Sequence, residues 1–438
     1  MSLETPSKIR KLQRELYIKA KREPEFRFYQ LYDKVYREDI LRFAYALSRE
    51  NEGVPGVDGE TYEDIESKGL REWLEGLRKV LHDKTYEPSA VRRVTIPKRD
   101  GGKRPLGIPT VRDRVVQTAA KLLLEPIFEA DFEASAYGYR PKRSALDAVQ
   151  EVHESLREGY LDVVDADLAQ YFDNIPHHEL MQCVARRVVD RQMLKLVKAW
   201  LKVPVEERDE NGTRRMTGGK NSKRGTPQGG VVSPLLSNIY MNRYLKHWRR
   251  SGKGQKFRAK LINYADDFVI LSRNKAQEAL AWTRNVMATM GLSLNDSKTS
   301  IRDARKETFI FLGYEFGPEC FRRTGRWYCA AQPAKKSVAR IKAAVREHLH
   351  PGNQDPWEAV VLRLNQKLGG WANYFSYGTR YFAYRAVDHY VYDRVGQFLR
   401  RRHKVRTRRT WRFSAEEIYG TLGVLRVSSL PKVVPRVP

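Results

Sequence analysis

"LINYADDFVIL", residues 261–271, sets two adjacent aspartates, Asp266 and Asp267, inside an apolar stretch. Aspartate is depleted from strands, and a buried, unpaired carboxylate costs several kcal/mol or gives up its charge. The flanks Leu261-Ile262 and Phe268-Val269-Ile270-Leu271 read as the two arms of a β-hairpin. Taken singly, an Asp pair is ordinary turn chemistry. Two features argue for more. No glycine follows the pair, so its composition suits a tight hairpin poorly. A second stretch of the same kind, Val163-Val164-Asp165-Ala166-Asp167, is an apolar strand that ends in carboxylates. Strands of one sheet could bring Asp167 to the Asp266-Asp267 pair. Three carboxylates at one point do not stay ionised without a cation. Hard oxygen donors select Mg²⁺, which keeps waters and substrate phosphates in its shell. Two such ions clamp the attacking and leaving oxygens of an in-line phosphoryl transfer.

The composition agrees with a phosphate-bearing partner. Among 438 residues, 81 are Lys or Arg and 53 are Asp or Glu, a formal charge of +28. Such an excess does nothing for a fold; it attracts polyanions, and nucleic acid is the expected partner. A membrane is not expected, because the sequence has neither an apolar run of spanning length nor a long basic amphipathic helix. The N-terminus lacks an apolar signal core. The three cysteines, Cys183, Cys320 and Cys329, form no CxxC pair, so neither a disulfide framework nor a zinc site is indicated. The expectation is a reduced, cytoplasmic protein.

Along the chain, 1–50 reads as a basic helical extension with loosely spaced aromatics, and "NEGVPGVDGE" (51–60) as a loop. Helical patterns run over 62–83, from about Val111 to Phe128, and over 178–202. Residues 89–110 read as a hairpin with "RDGGK" at its turn. "LDVVDADLAQYFDNIPH" (161–177) is a strand entering a turn, and 224–248 a Gly-Pro loop leading into a helix. The stretch from Asn274 to Leu292 reads as a further helix. "TFIFLGYEF" (308–316) reads as one strand, and "DENGTRRMTGGKNSKRG" (209–225) as a loop over nucleic acid. Near Gln332-Pro333 the chain turns helical, basic and aromatic. Strands and helices without regular βαβ alternation, followed by helices alone, predict an α+β body with an all-helical appendage.

These stretches also carry a resemblance. "YADD" (264–267) matches the YxDD box of reverse transcriptases, and "DLAQYFD" (167–173) looks like their first palm motif. "RGTPQGGVVSPLLSNIYM" (224–241) resembles the PQG block of group II intron and other bacterial retroelement enzymes. "RPLGIPTVRDRVVQ" (104–117) is similar to their fingers motif, and "FLGYEF" (311–316) to the primer-grip strand. "NEGVPGVDG" looks like the N-terminal motif with which non-retroviral members cover the template. "LNQKLGGWANYFSYG" (364–378) resembles the thumb, or maturase X domain, of group II intron-encoded proteins. The blocks follow the family's order.

The resemblance implies a right-hand polymerase fold, with fingers and palm over 51–330 and a helical thumb/maturase X domain over 331–405. A short basic tail, 406–438, would follow without an endonuclease domain. It implies that Asp167, Asp266 and Asp267 bind two Mg²⁺ ions, and that Lys98 and Arg104 meet the triphosphate of the dNTP. Phe172 would police the sugar 2′ position, Gln228 would lie near the templating pair, and Lys298 near the nucleotide phosphates, able to protonate pyrophosphate. Arg140, Lys142 and Arg143 would meet template backbone. In "RRRHKVRTRR" (400–409), Arg400, Arg401, Arg402 and Lys404 would grip intron or template phosphates. The activity implied is RNA-directed DNA synthesis from a DNA primer on an RNA template, joined to binding of group II intron RNA and assistance in its splicing and mobility. The residues leave open a homodimer. They also leave open a domesticated role in defence, repair or CRISPR spacer acquisition, and a non-enzymatic splicing cofactor.

Overall fold

The structure, a computed structural model, describes residues 3–97, 103–208, 213–321, 324–403 and 413–431. Eleven strands follow in chain order: β1 (Val91–Pro97), β2 (Lys103–Ile108), β3 (Asp162–Asp167), β4 (Pro204–Arg208), β5 (Arg214–Gly218), β6 (Ala259–Tyr264), β7 (Asp267–Ser272), β8 (Ser300–Asp303), β9 (Phe309–Phe311), β10 (Tyr314–Phe321) and β11 (Arg326–Pro333). Among the described residues these strands form three sheets, ordered β2-β1-β4-β5, β6-β7-β3-β8 and β11-β10-β9. Helices pack around them, and from Lys335 to Arg402 the regular elements are helices only. The α+β body and the helical C-terminal part expected from the sequence are both present.

The central sheet β6-β7-β3-β8 is antiparallel throughout. Its strands alternate as a pleat demands, with successive side chains on opposite faces. Val164, Ala166, Phe268 and Ile270 enter one apolar core, and Val163, Val269 and Leu271 enter the other. The sheet is therefore buried on both sides, which explains its near-continuous apolar runs. The first core is covered by helices Val111–Glu129, His177–Ala185, Ser233–Arg250 and Ala276–Thr289. The second is covered by helix Ala145–Arg157, the β9–β11 sheet and the C-terminal helices.

Helix starts follow local chemistry. Thr61 with Asp64, and Ser144 with Asp147, form reciprocal capping boxes. Asp190 caps helix Arg191–Leu201 with one carboxylate oxygen. Its other oxygen accepts from the Leu31 and Tyr32 amides at 2.8 Å, tying the N-terminal segment to the body. Ile9, Leu16 and Ala20 of helix Ser7–Arg22 are buried in the same core as Leu122 and Leu236. The basic N-terminal helices are thus part of the body's packing.

Two expectations are corrected. The stretch 308–316 is a hairpin, not one strand: Phe311 of β9 pairs with Tyr314 of β10. Leu312 and Gly313 form its turn at φ 50° and 81°, the left-handed pair that two-residue hairpins prefer. A single strand was expected because Leu312 looks like one more apolar residue of the run. The stretch 209–225 is not simply a loop, since Arg214–Gly218 pairs with β4 as the edge of the first sheet. Its basic character suits an edge, where charge discourages further pairing. The 89–110 hairpin forms as expected, with Pro97 opposite Lys103; the tip of the "RDGGK" turn lies outside the described residues.

Candidate active site

The register answers the question raised by the aspartates. Asp167, the last residue of β3, lies directly opposite Asp267, the first residue of β7. Side chains so paired have Cβ atoms about 5 Å apart. Asp165 stands opposite Val269, two residues back and therefore on the same face. Tyr264 pairs with Asp267, so Ala265 and Asp266 are the two-residue turn between β6 and β7. The aspartate pair straddles a strand end, with Asp266 in the turn and Asp267 in the ladder.

Ala265 holds φ at 59°, a region that favours glycine. Its surroundings sustain it. Asn263, 1% exposed, donates from Nδ2 to the Ala265 carbonyl at 2.9 Å and to that of Asp267 at 3.4 Å. Segment 135–138 runs alongside: the Asn263 amide donates to the Ser135 carbonyl and the Tyr137 amide to the Asn263 carbonyl, each at 2.8 Å. A Cβ on Gly138 would stand 2.5 Å from the Ala265 nitrogen. Asn238 Nδ2 pins the Gly138 carbonyl at 2.7 Å. The glycine absent from the turn is therefore supplied opposite it.

The cluster is electrostatically strained. Surrounding protein, then Asp266, Asp167 and Asp165, push the Asp267 carboxyl up to about 7, against a lowering by Lys298. Asp267 nevertheless reaches solvent at the cleft, so an ion can approach it. Burial pushes Asp165 up to about 6, offset by Arg302 and reinforced by Asp167. Asp167 accepts from Asn295 Nδ2 at 3.3 Å and is paired with Lys298 Nζ at 3.2 Å. Among the described residues, no three His, Cys, Asp or Glu side chains close into a metal cage. The donor set still fits a hard cation. Its ligands are all carboxylate oxygens, mutually repelling and open to the cleft, as Mg²⁺ held largely by water and phosphate requires.

Other candidate residues lie on segments that hydrogen bonds and ring contacts join. Phe172, half-buried on the short helix Tyr171–Asn174, meets the Tyr139 ring edge-on at 6.5 Å. Its carbonyl accepts from the Thr226 amide at 2.8 Å, so the "DLAQYFD" and PQG stretches are joined there. Gln228 Nε2 donates to Asp173 Oδ2 at 3.1 Å, and its carbonyl accepts from the Gly107 amide of β2 at 2.6 Å. Arg104 lies on β2 opposite Ile96, whereas Lys98 lies outside the described residues.

The proposed template contacts separate. Arg140 is corrected: it is 9% exposed and bound to Glu129 at 2.6 Å. Its guanidinium also donates to the Glu133 and Ala136 carbonyls at 2.7 Å. Four of its five N–H donors are spent inside the fold, and it braces segment 129–140. Arg143 donates to the Ala134 carbonyl at 2.7 Å and lies over the Tyr137 ring at 4.9 Å. Lys142 is exposed. Arg401 and Arg402 are exposed at the end of helix Tyr381–Arg402, and Arg400 Nε donates to the Gly396 carbonyl at 3.2 Å. Lys404 lies outside the described residues. Sequence reasoning missed Asp165, Asn263, Asn238, Gly138 and Asn295. Asp165 was legible, sitting two before Asp167 in a strand of period two; the others take their meaning from contacts distant in sequence.

Comparison with known proteins gives the family. A family described as "Reverse transcriptase (RNA-dependent DNA polymerase)" matches residues 96–316, and "Group II intron, maturase-specific domain" matches 338–416. Protein YkfC of Escherichia coli K12 is 35% identical over 343 residues, 70% of this chain and 87% of that protein. Group II intron-encoded protein LtrA of Lactococcus lactis subsp. cremoris is 34% identical over 218 residues, 49% of this chain and 34% of that protein. A putative COX1/OXI3 intron 2 protein of Saccharomyces cerevisiae is 28% identical over 354 residues, 67% of this chain and 39% of that protein. The chain thus spans most of YkfC but well under half of the other two. A Candida albicans telomerase structure superposes at a TM-score of 0.44 with 12% identity, covering 82% of this chain and 68% of that one, too loosely to add to the assignment.

Residues 96–316 accordingly form an RNA-directed DNA polymerase domain, and a maturase domain follows it. The chain belongs to the reverse transcriptase/maturase family of group II introns. In that family's terms we take the β2-β1-β4-β5 sheet as part of the fingers, the β6-β7-β3-β8 sheet as the palm and the helices from Lys335 to Arg402 as the thumb.

Proposed function

We propose that this chain extends a DNA primer on an RNA template with dNTPs, and that it also binds a group II intron RNA and assists its splicing and mobility. The observation that carries the polymerase reading is the cross-strand pair Asp167–Asp267 with Asp266 in the adjoining turn. In the reaction, the primer 3′-hydroxyl attacks the α-phosphate in line and pyrophosphate leaves. Asp167, Asp266 and Asp267 would hold two Mg²⁺ ions. Those ions, when bound, supply charge to the attacking and leaving oxygens.

The remaining chemistry belongs to the chain. Lys298 neutralises Asp167 here and lies within reach of a triphosphate bound at the carboxylates. The bond from Gln228 to Asp173 fixes that amide, which we assign to the neighbourhood of the templating pair. Phe172 stands five residues beyond Asp167 and its backbone is fixed by Thr226, so its ring can act as a rigid wall to the sugar. Arg104, Lys142, Arg143 and the run at 400–402 are proposed contacts to triphosphate or nucleic-acid phosphates.

The test is primer extension on a primed RNA template with Mg²⁺, comparing wild type with the Asp266→Ala, Asp267→Ala double variant. Extension by wild type alone is expected. Absence of extension from both, with RNA binding retained, would overturn the polymerase reading in favour of a splicing cofactor.

A further inference from the structure

Behind the palm sheet lies a second concentration of positive charge that polymerisation does not use. Tyr244 of helix Ser233–Arg250 packs on Phe268 at a ring distance of 5.8 Å, which places this helix on the sheet face opposite Asp167 and Asp267. On the helix's outer side, Arg243, Lys246, His247 and Arg250 fall at i, i+3, i+4 and i+7, one continuous stripe. Arg186, at the end of helix His177–Ala185, faces the same hollow, a cavity of about 310 Å³. The lining contains one carboxylate, Asp131, which is already paired with Arg187 at 3.1 Å.

The cations are positioned without a close ion pair. Among the described residues, no carboxylate stands within 4.0 Å of Arg186, Arg243, Lys246 or Arg250, although such pairs are frequent elsewhere in the chain. Arg243 lies over the Tyr240 ring at 5.4 Å, and His247 is stacked on Trp282 at 5.2 Å. Ring contacts hold these groups in place and take up little of their donor capacity: one Nη of Arg243 donates to the Tyr240 hydroxyl at 3.4 Å. Lys246 is half-buried, and burial lowers its pKa despite Asp131 and Glu133. Asp131 and Glu133 act on this ammonium only from beyond ion-pair distance, so a half-buried charge that has lost water and made no close pair favours an incoming anion.

We propose that this cavity is a phosphate-binding site, built by Arg186, Arg243, Lys246 and Arg250 for a di- or triphosphate-sized anion. The source is either a free polyphosphate or successive phosphates of an RNA strand that reaches the back of the palm. Its volume suits a small anion, and guanidinium and ammonium donors are the groups that recognise phosphate. The site is separated from the polymerase cleft by the sheet and its helix layer, so the two can be tested apart.

The probe is inorganic tripolyphosphate, titrated calorimetrically in EDTA into the full chain and into an Arg243→Gln, Lys246→Gln double variant. A Lys335→Gln, Lys336→Gln variant of equal charge, altered on the exposed start of the thumb, is the control. The double variant is expected to bind at least about tenfold more weakly. The control should match wild type in tripolyphosphate binding, and primer extension on a short template should be unchanged in the Arg243→Gln, Lys246→Gln variant. Displacement of a long structured RNA by tripolyphosphate from wild type alone would identify an RNA strand as the source. Tripolyphosphate binding without such displacement would identify a free polyphosphate. Equal binding by all three proteins would overturn the site, whatever the outcome of primer extension. A thermal melt of the double variant separates loss of donors from loss of fold.

Discussion

At the scale of single residues, the site is a conflict between charge and register. Asp167 and Asp267 are opposed by the ladder, with Asp165 behind them on the same face. Removing one charge relieves repulsion while removing a ligand. Asp267→Asn should therefore melt no lower than wild type without metal, yet lose about a thousandfold or more of its extension rate. Mg²⁺ at about a hundred times its Kd should stabilise wild type by about 3 kcal/mol, and the variant by far less. Equal metal-induced shifts in thermal melts would show that Asp267 is not a ligand. A second prediction concerns Gly138, whose added Cβ would meet the turn carrying Asp266 at 2.5 Å. Gly138→Ala should cost about 1–3 kcal/mol and lower kcat more than it raises KM for dNTP, measured by steady-state extension. The carboxylates themselves were legible, because two apolar strands each ended in aspartate. Asn263, Asn238 and Gly138 were not, because nothing in their neighbours says that they meet the turn.

At the scale of elements, the palm and thumb are joined through helix Ala145–Arg157. His153 on this helix contacts the Cys329 carbonyl of β11 at 2.9 Å and the Tyr377 hydroxyl at 2.8 Å. Burial lowers its pKa, the Cys329 carbonyl opposes that, Arg157 adds to the lowering and Glu154 opposes it. The neutral ring is the one the fold favours. Its contribution is complete above the unfolded value of about 6.5, and is lost as pH falls through that value toward the depressed folded one. The stability gap between wild type and His153→Gln should therefore narrow from about pH 7.5 to about pH 5.5 in urea melts. A gap that stays constant would mean the imidazole does not titrate with folding. The same scale shows why one strand was expected at 308–316 and a hairpin formed. A type I′ two-residue turn needs positive φ at both positions, and Gly313 alone announces that need.

For the whole molecule, the N-terminal extension behaves as part of the core. Arg187, buried in the palm, donates to the carbonyls of Ala20, Glu23, Pro24 and Phe26. Arg187→Met should destabilise the protein by about 3–5 kcal/mol, since four carbonyls and Asp131 lose their partner. Hydrogen exchange over residues 7–31 should rise with it; unchanged protection there would show the extension to be held by its apolar contacts alone. Leu16→Ala, in the shared core, should cost about 2–5 kcal/mol in the same melts. The net charge of +28 makes a further demand. RNA affinity should fall steeply and linearly on a log–log plot against salt, with each lost phosphate contact flattening the slope by about 0.7–0.9.

By itself, the sequence determined the α+β body, the helical C-terminal part, the basic partner-seeking surface and the identity of the carboxylates. These depend on periodicity, composition and short motifs, which are local properties of the chain. Only the tertiary structure decided that Asp167 faces Asp267, that Arg140 is spent on Glu129, and that the N-terminal helices share the palm's core. It also placed Arg186 beside the Arg243–Arg250 stripe. A charge written in the sequence is either a bridge or a free binding group, and which one it is depends on what distant segment the fold brings within hydrogen-bonding distance.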